Sequence, residues 1–156
     1  MSDDENIARA GIFERLIDNE PFQKKDPTPM RTFNTRELMV SVALNISHLL
    51  NTRSSYNFDE LEKMERSVLN FGIPELTYQS LGGESDKNKI SKIIKDTIMF
   101  YEPRLKNIMV TCMSETSCDK IFFQIDGEYT NEYFAQPVSF PISIENIYEK
   151  VIVNVG

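Results

Sequence analysis

The sequence predicts an α+β fold in which N-terminal helices pack on a small, mostly antiparallel sheet of three to four strands from the C-terminal third. Apolar residues recur at helical spacing through the first two-thirds of the chain, and after Pro103 they alternate with polar residues. The length of 156 residues suits one domain, 1–156. Within it we expect an N-terminal helix and extended connector over 1–34, a helical part over 35–101 and a β-rich part over 102–156.

The composition is that of an acidic globular protein. Hydrophobic residues make up 40% of the chain, and 24 acidic against 17 basic residues give a net charge of −7. Because an acidic surface repels phosphate backbones, we expect no nucleic acid partner. No apolar run reaches the roughly 20 residues that cross a bilayer, and the polar start MSDDENIARAG lacks the features of a signal peptide. We therefore expect a cytoplasmic protein without direct membrane insertion.

The first predicted element is a short amphipathic helix over residues 5–18. Its apolar residues at helical spacing are Ile7, Ile12, Phe13, Leu16 and Ile17. The connector that follows, EPFQKKDPTPMRTF, contains three prolines. We expect this connector to be extended, because proline disfavours helix at its own position and at the preceding residue.

The second predicted helix has the best local signals in the chain. Asn34 can cap its first turn, and Glu37 can reach back to the backbone of Asn34 in a capping box. Asn51 is a plausible last residue. The apolar stripe between these ends consists of Leu38, Val42, Ile46 and Leu49, widened by Met39 and Leu50.

Two further helices are predicted before the period changes. The segment FDELEKMERSVLNFGIP predicts a helix that ends at Gly72, which suits a left-handed position, before Pro74. The residues at helical spacing along its inward stripe are Phe58, Leu61, Met64 or Glu65, Val68 and Leu69. Residues 86–101 predict another, with Ile90, Ile93, Ile94, Ile98 and Tyr101 facing inward. The stripe Lys89, Lys92 and Lys95 on this helix is either a solvated face or a contact for an acidic partner.

The last third predicts strands in LKNIMVTCM, KIFFQIDGEY, PVSFPIS and EKVIVNVG. The prolines around PVSF indicate a short strand at a sheet edge. In the final strand, Val151, Val153 and Val155 share one face and Ile152 lies on the other. Such a strand either closes the sheet of this domain or offers its backbone to a strand of a partner, and both interpretations stay open.

Opposite charges flank a proline at Glu102-Pro103-Arg104, where the helical pattern ends. In an extended segment Glu102 and Arg104 project to the same side. They form either a surface ion pair, which contributes at most about 1 kcal/mol, or a rigid docking element whose arginine grips a partner's carboxylate or carbonyl group. Arg53, just after the second helix, pairs with Glu102 if the two helix ends meet.

Catalytic and metal-binding patterns are weak. Cys112 and Cys118 are the only cysteines and His48 is the only histidine, which is a poor zinc set. The sequence therefore predicts no enzymatic activity, no cofactor and no metal. A cell-wall glycosidase needs only two carboxylates, and Glu14, Glu102 and Asp126 are nominal candidates for that alternative.

Five motifs occur in an order typical of one known family, over nearly the whole chain. They are GIFERL (11–16), HLLNTR (48–53), SVLNFGIPEL (67–76), FYEPRL (100–105) and PVSF (137–140). On these residues the protein resembles the TssE family of type VI secretion system baseplate subunits. That family is similar to the sheath-initiating wedge protein of contractile phage tails and has also been labelled lysozyme-like.

The resemblance implies a structural subunit that links the baseplate wedge to the first ring of the contractile sheath and initiates sheath assembly. It implies the wedge partners TssF, TssG and TssK, the sheath partners TssB and TssC, and the spike hub as a further partner, in a baseplate docked at the inner membrane. The corresponding subunit of a phage tail or phage-derived particle is the alternative. Glu102, Pro103 and Arg104 match the EPR motif implicated in anchoring the subunit. The candidate partner-binding residues are Glu102, Pro103, Arg104, Arg53, Val151 and Val153.

Overall fold

The structure is a computed structural model that describes residues 8–11, 15–16, 21–24, 32–75, 84–113, 120–130, 135–145 and 150–153. It confirms the α+β class, because helices precede an antiparallel four-stranded sheet. The chain divides into two compact units, Met1–Ser41 and Val42–Gly156.

The first unit contains a pair of two-residue strands. Strand β1 (Ala8–Arg9) pairs antiparallel with β2 (Thr32–Phe33). The helix expected over 5–18 is therefore wrong at its beginning, because pairing with a distant segment overrides the local helical spacing. Arg15 and Leu16 are helical, and Leu16 is 75% exposed instead of facing inward. The other apolar residues of that prediction, Ile7, Ile12, Phe13 and Ile17, lie outside the described residues.

Helix α1 (Thr35–Asn51) begins with the predicted capping box. The Asn34 amide donates to Glu37 Oε2 at 2.9 Å, and the Glu37 amide donates to Asn34 Oδ1 at 2.9 Å. These two bonds satisfy backbone donors that the first turn leaves unpaired. The predicted stripe is buried at Leu38, Val42, Ile46, Leu49 and Leu50.

The segment expected to form the next helix is split in two. Helix α2 covers only Phe58–Lys63, and a separate 3-10 turn covers Val68–Asn70. Ser67 begins that turn in its own capping box, since the Ser67 amide donates to Asn70 Oδ1 at 2.8 Å. Because the turn satisfies its own backbone, α2 does not continue through it. Val68 and Leu69, expected in the core, are 85% and 83% exposed.

Helix α3 (Glu84–Tyr101) begins two residues before the predicted start. Ile90, Ile94 and Ile98 are buried as expected, whereas Ile93 and Tyr101 are half-buried. The stripe Lys89, Lys92 and Lys95 is exposed. None of the helices in the described part of the chain is long and apolar enough to span a membrane.

Four antiparallel strands follow in sequential order along the sheet. They are β3 (Leu105–Cys112), β4 (Lys120–Thr130), β5 (Ala135–Glu145) and β6 (Lys150–Val153). Alternate residues of paired strands share the buried face, as the strand pattern predicts. The buried apolar residues on the central strands are Ile121, Phe123, Ile125 and Tyr129 of β4, with Val138, Phe140, Ile142 and Ile144 of β5.

The edge position expected for PVSFPIS is wrong, because this segment lies within β5, between β4 and β6. Its prolines nevertheless lie where β5 has no described partner strand on one side, which is the condition that made the sequence predict an edge. β6 pairs only with residues 142–145 of β5. At Pro137 and Pro141 no described strand lies on the second side of β5, so the missing amide protons leave no ladder bond unmade.

Candidate functional site

The candidate site is the elbow, Glu102-Pro103-Arg104, which connects α3 to β3. The Glu102 amide still donates to the Ile98 carbonyl group at 2.8 Å, as in a helix, and the Leu105 amide then donates to the Glu102 carbonyl group at 3.1 Å. The second bond closes a turn with Pro103 at its second position, where the fixed φ of proline fits. The segment is therefore a turn and not the expected extended stretch.

The side chains of Glu102 and Arg104 project to the same side, as expected, although a turn and not an extended backbone brings them there. Arg104 Nε lies 2.6 Å from Glu102 Oε1, and Arg104 Nη2 lies 2.7 Å from Glu102 Oε2. Two parallel bonds of this kind are the strong, orienting form of an arginine–carboxylate pair. The Glu102 side chain is 5% exposed and that of Arg104 is 26% exposed. The pair is therefore largely withdrawn from water, unlike an ordinary surface ion pair.

The elbow is tied to two other elements. Asn45 Nδ2 on α1 donates to Glu102 Oε2 at 3.3 Å. The Thr130 amide at the end of β4 donates to the Arg104 carbonyl group at 2.9 Å. These bonds hold both the buried carboxylate and the backbone of the elbow, so the Arg104 guanidinium is presented from a fixed position.

Arg53 lies at the end of α1, as the sequence predicts, but the cation that binds Glu102 is Arg104. Arg53 Nη1 donates to the Leu50 carbonyl group at 3.0 Å. This places a positive charge at the negative end of the helix dipole. The described contact between α1 and Glu102 is made by Asn45, within the helix and not at its end.

A backbone connection joins the residues after α1 to the segment at Gly72. The Ile73 amide donates to the Thr52 carbonyl group at 3.0 Å, and the Ser54 amide donates to the Ile73 carbonyl group at 2.8 Å. Gly72 has φ +100°, and a Cβ added there would lie 2.3 Å from the Thr52 oxygen. The left-handed position expected for Gly72 is confirmed, and this close approach explains why a side chain is excluded.

Tyr101 joins the 3-10 turn to the helix that leads into the elbow. Its hydroxyl group lies 2.5 Å from the Ser67 carbonyl oxygen and 2.9 Å from Asn70 Oδ1. Burial raises the pKa of the Tyr101 hydroxyl, and the nearby Arg66 partly opposes this. The segment SVLNFGIPEL is therefore hydrogen-bonded to HLLNTR through Ile73 and to FYEPRL through Ser67 and Asn70.

Val151 and Val153 lie on β6, the outermost strand at one end of the described sheet. The Val151 side chain is buried and that of Val153 is half-buried. Asn51 Nδ2 donates to the Val151 carbonyl group at 2.8 Å, and the Val151 amide donates to Asn51 Oδ1 at 2.9 Å. The sequence does not reveal the roles of Asn45 and Asn51, because their partners lie 57 and 100 residues away.

Within the described part of the chain, His48 and Cys112 do not belong to a group that could hold a metal ion. Among the described residues, no group of three or more His, Cys, Asp or Glu side chains could hold a metal ion. Cys112 is a half-buried thiol whose pKa is raised by burial and lowered in part by Lys87. Cys118 lies outside the described residues.

Comparison with known proteins identifies the family. The family model described as "Baseplate wedge protein gp25" matches residues 36–132, from the start of α1 to the end of β4. The chain belongs to the gp25 baseplate wedge protein family. A search of curated proteins found no match. Among solved structures, a chain of "The baseplate complex from the type VI secretion system" is similar in fold, with 18% sequence identity and a TM-score of 0.50 over 70% of this chain and 96% of that one.

Proposed function

We propose that this protein is a non-catalytic subunit of a type VI secretion system baseplate that links the wedge to the first ring of the contractile sheath and initiates sheath assembly. The observation that carries the proposal is the family match over residues 36–132, which includes the elbow. The five ordered motifs favour the secretion system, and the fold similarity to a chain of such a baseplate complex agrees with this choice. The site of action is a baseplate on the cytoplasmic side of the inner membrane.

The elbow is the proposed anchor to the wedge proteins TssF, TssG and TssK. Arg104 is about a quarter exposed, and the buried Glu102 carboxylate fixes its direction. A side chain that is already ordered loses little conformational entropy when it docks. Pro103 is exposed beside Arg104 and stiffens the backbone. These properties support a preorganised contact for a carboxylate or carbonyl group of the wedge.

The proposed seat for the sheath proteins TssB and TssC is the outer edge of β6, at Val151 and Val153. An outermost strand can be extended by a strand of a partner, whose backbone supplies the hydrogen bonds. The spike hub is a further candidate partner. Arg53, at the end of α1, is a further candidate contact for a partner protein.

Affinity purification of the tagged protein from its own cells tests the assignment. We expect TssF, TssG and TssK to co-purify, with TssB and TssC present when sheaths assemble. Recovery of phage tail proteins instead would support the corresponding subunit of a phage-derived particle, which the gp25 family description also fits. Recovery of neither group would contradict the proposal.

Two variants separate docking by the elbow from its structural role. Arg104→Lys keeps a positive charge but cannot form the two-pronged contact. Asn45→Ala removes the hydrogen bond from α1 to the Glu102 carboxylate and leaves Arg104 in place. If Arg104 docks, Arg104→Lys weakens wedge association more than Asn45→Ala does, at comparable thermal stability. Equal association of both variants would show that the elbow does not bind the wedge.

The glycosidase alternative gains no support from the geometry of Glu102. Both of its carboxylate oxygens accept bonds from Arg104, and the side chain is nearly inaccessible. A general acid must instead reach the glycosidic oxygen of its substrate. We expect purified protein to leave cell-wall material intact. Clearing that disappears in Glu102→Gln would overturn the non-catalytic assignment.

A further inference from the structure

The two outer edges of the sheet are protected by different means. Within the part of the chain that the structure describes, β3 and β6 are the outermost strands. Outermost strands present backbone donors and acceptors to any chain that approaches, and folded proteins restrict this access. The kind of protection at each edge therefore indicates which edge a partner strand can use.

The β3 edge is protected by its backbone. The register of β3 against β4 shifts between Lys106 and Met109, which marks a β-bulge. Asn107 within the bulge has φ 53°, and its side chain donates to Glu128 Oε2 at 2.7 Å. A bulge bends and twists the strand, so a regular partner strand cannot pair along it. Rotation of a side chain does not remove this protection.

The β6 edge is protected by one side chain. The amide and carbonyl groups of Val151 both bind the Asn51 carboxamide, so they point away from β5. Because backbone orientation alternates along a strand, those of Val153 point the same way. A carboxamide carries the same donor and acceptor as a peptide group. Asn51 thus occupies the position that one residue of an added strand would take.

Asn51 can leave this position without disturbing the core. It is the last residue of α1 and its side chain is exposed, whereas the leucines before it are buried. Its Nδ2 also lies 2.8 Å from the Ser47 carbonyl oxygen, which offers a second acceptor when Val151 is released. The protection of β6 is therefore reversible.

We propose that Asn51 is a removable cap on the β6 edge, displaced when an extended segment of the sheath partner pairs with Val151 and Val153. The inference rests on the proposed function, since it takes β6 as the seat for the sheath, and adds the residue that controls access to it. A second copy of this chain is the disfavoured occupant, because each copy carries a net charge of −7 and the cap covers the edge in both.

The test compares three variants in binding to purified TssB–TssC. Asn51→Ala removes the cap, and Asn107→Gly is the matched control, since it removes an exposed asparagine side chain from the opposite edge and glycine tolerates the positive φ of that position. Val153→Pro removes an outward amide proton without breaking a bond to β5. We expect Asn51→Ala to bind about tenfold more tightly, because an internal competitor with two hydrogen bonds is lost. Asn107→Gly should bind like the wild type, and Val153→Pro should bind weakly.

Hydrogen exchange checks that Asn51→Ala acts locally. The Val151 amide should exchange at least about tenfold faster in this variant, while the Phe123 amide at the centre of the sheet is unchanged. Should Asn51→Ala fold poorly, Asn51→Asp serves instead, because it keeps the acceptor for the Val151 amide but loses the donor, and binding should then tighten less.

The outcomes separate the two hypotheses. Unchanged or weaker binding by Asn51→Ala, together with loss of binding in Val153→Pro, overturns the cap and leaves the β6 seat intact. If Val153→Pro binds like the wild type, β6 is not the seat for the sheath, and the proposal that Asn51 caps it is then wrong as well. Self-association of Asn51→Ala without tighter TssB–TssC binding would identify the cap as a guard against pairing between copies, and would also contradict its displacement by the sheath.

Discussion

Two ion pairs, one midway along α3 and one just after its end, show how burial changes the role of the same chemistry. Midway along the helix, Lys92 Nζ lies 2.5 Å from Glu62 Oε1, with side chains 60% and 61% exposed. At the helix end, Arg104 binds Glu102 through two bonds, and the exposures are 26% and 5%. Water can solvate the first pair when it is broken, but not the Glu102 carboxylate. The first pair should therefore be dispensable and the second should stabilise the fold.

The largest effect is expected when the buried pair loses one partner. Arg104→Ala leaves the Glu102 carboxylate with Asn45 as its described side-chain donor. Removing one member of a buried pair typically costs about 3–5 kcal/mol. The urea midpoint should fall accordingly, with circular dichroism as the measure. A loss below about 1 kcal/mol, which is typical of surface pairs, would mean that the Glu102–Arg104 pair contributes no more to stability than an exposed pair such as Glu62–Lys92.

A double replacement sharpens the same point. Glu102→Gln combined with Arg104→Met removes both charges and keeps similar side-chain volumes. Because no buried charge is left unpaired, this variant should be more stable than Arg104→Ala alone, by roughly 1–3 kcal/mol. Urea unfolding of the wild type, Arg104→Ala and the double variant gives the comparison. If the double variant is the least stable of the three, the pair itself and not the stranded carboxylate carries the stability.

A smaller loss is expected from Asn45→Ala. This variant removes the 3.3 Å bond to Glu102 Oε2 but leaves both bonds from Arg104. A single hydrogen bond to a charged group contributes about 1.5–3 kcal/mol, and the length of this one places it at or below the lower end. Thermal unfolding should show a modest decrease. No decrease at all would mean that Arg104 alone satisfies the carboxylate.

The smallest effect is expected at the exposed pair. Lys92→Met should leave the urea midpoint unchanged at high salt, where the attraction is screened. At low salt the hydrogen bond from Lys92 lowers the pKa of Glu62, and the bond to Glu62 raises the pKa of Lys92. The lowered pKa of Glu62 stabilises the folded state at pH values above the ordinary glutamate pKa. The raised pKa of Lys92 stabilises the folded state at pH values below the ordinary lysine pKa.

The pH profile follows from those two signs. Any difference between the wild type and Lys92→Met should be present near neutral pH, disappear as Glu62 is protonated in acid, and disappear again as Lys92 is deprotonated in alkali. Unfolding curves in low salt at neutral pH and at a series of more acidic and more alkaline pH values measure it. A difference that persists once Glu62 is fully protonated would show that the lysine contributes by packing and not by charge.

Local signals predicted the elements whose determinants are close in sequence. The capping box at Asn34 and Glu37 and the left-handed Gly72 are confirmed. A second capping box, between Asn57 and Glu60, starts α2 and was not predicted, although its signal is equally local. It also extended α2 too far, because Val68 and Leu69 have helical spacing although Ser67 starts a separate turn.

The candidate site was predicted only in outline. The sequence placed Glu102 beside Arg104, since proline restricts the backbone between them. The sequence does not show that Asn45 binds Glu102 or that Thr130 binds the elbow backbone. It also does not show that Asn51 binds Val151. Each of these contacts joins segments that are distant in the chain, and no local pattern encodes such a distance.

The sequence by itself determined the α+β class, the periods of the helices and strands, and the projection of Glu102 and Arg104 to one side of the chain, because steric and capping preferences act over a few residues. Only the tertiary structure decided that β5 lies inside the sheet and that Glu102 is buried. It also decided that the open edge at β6 is covered by an asparagine. Strand order and burial depend on which surfaces exclude water together, and that is a property of the whole packed chain.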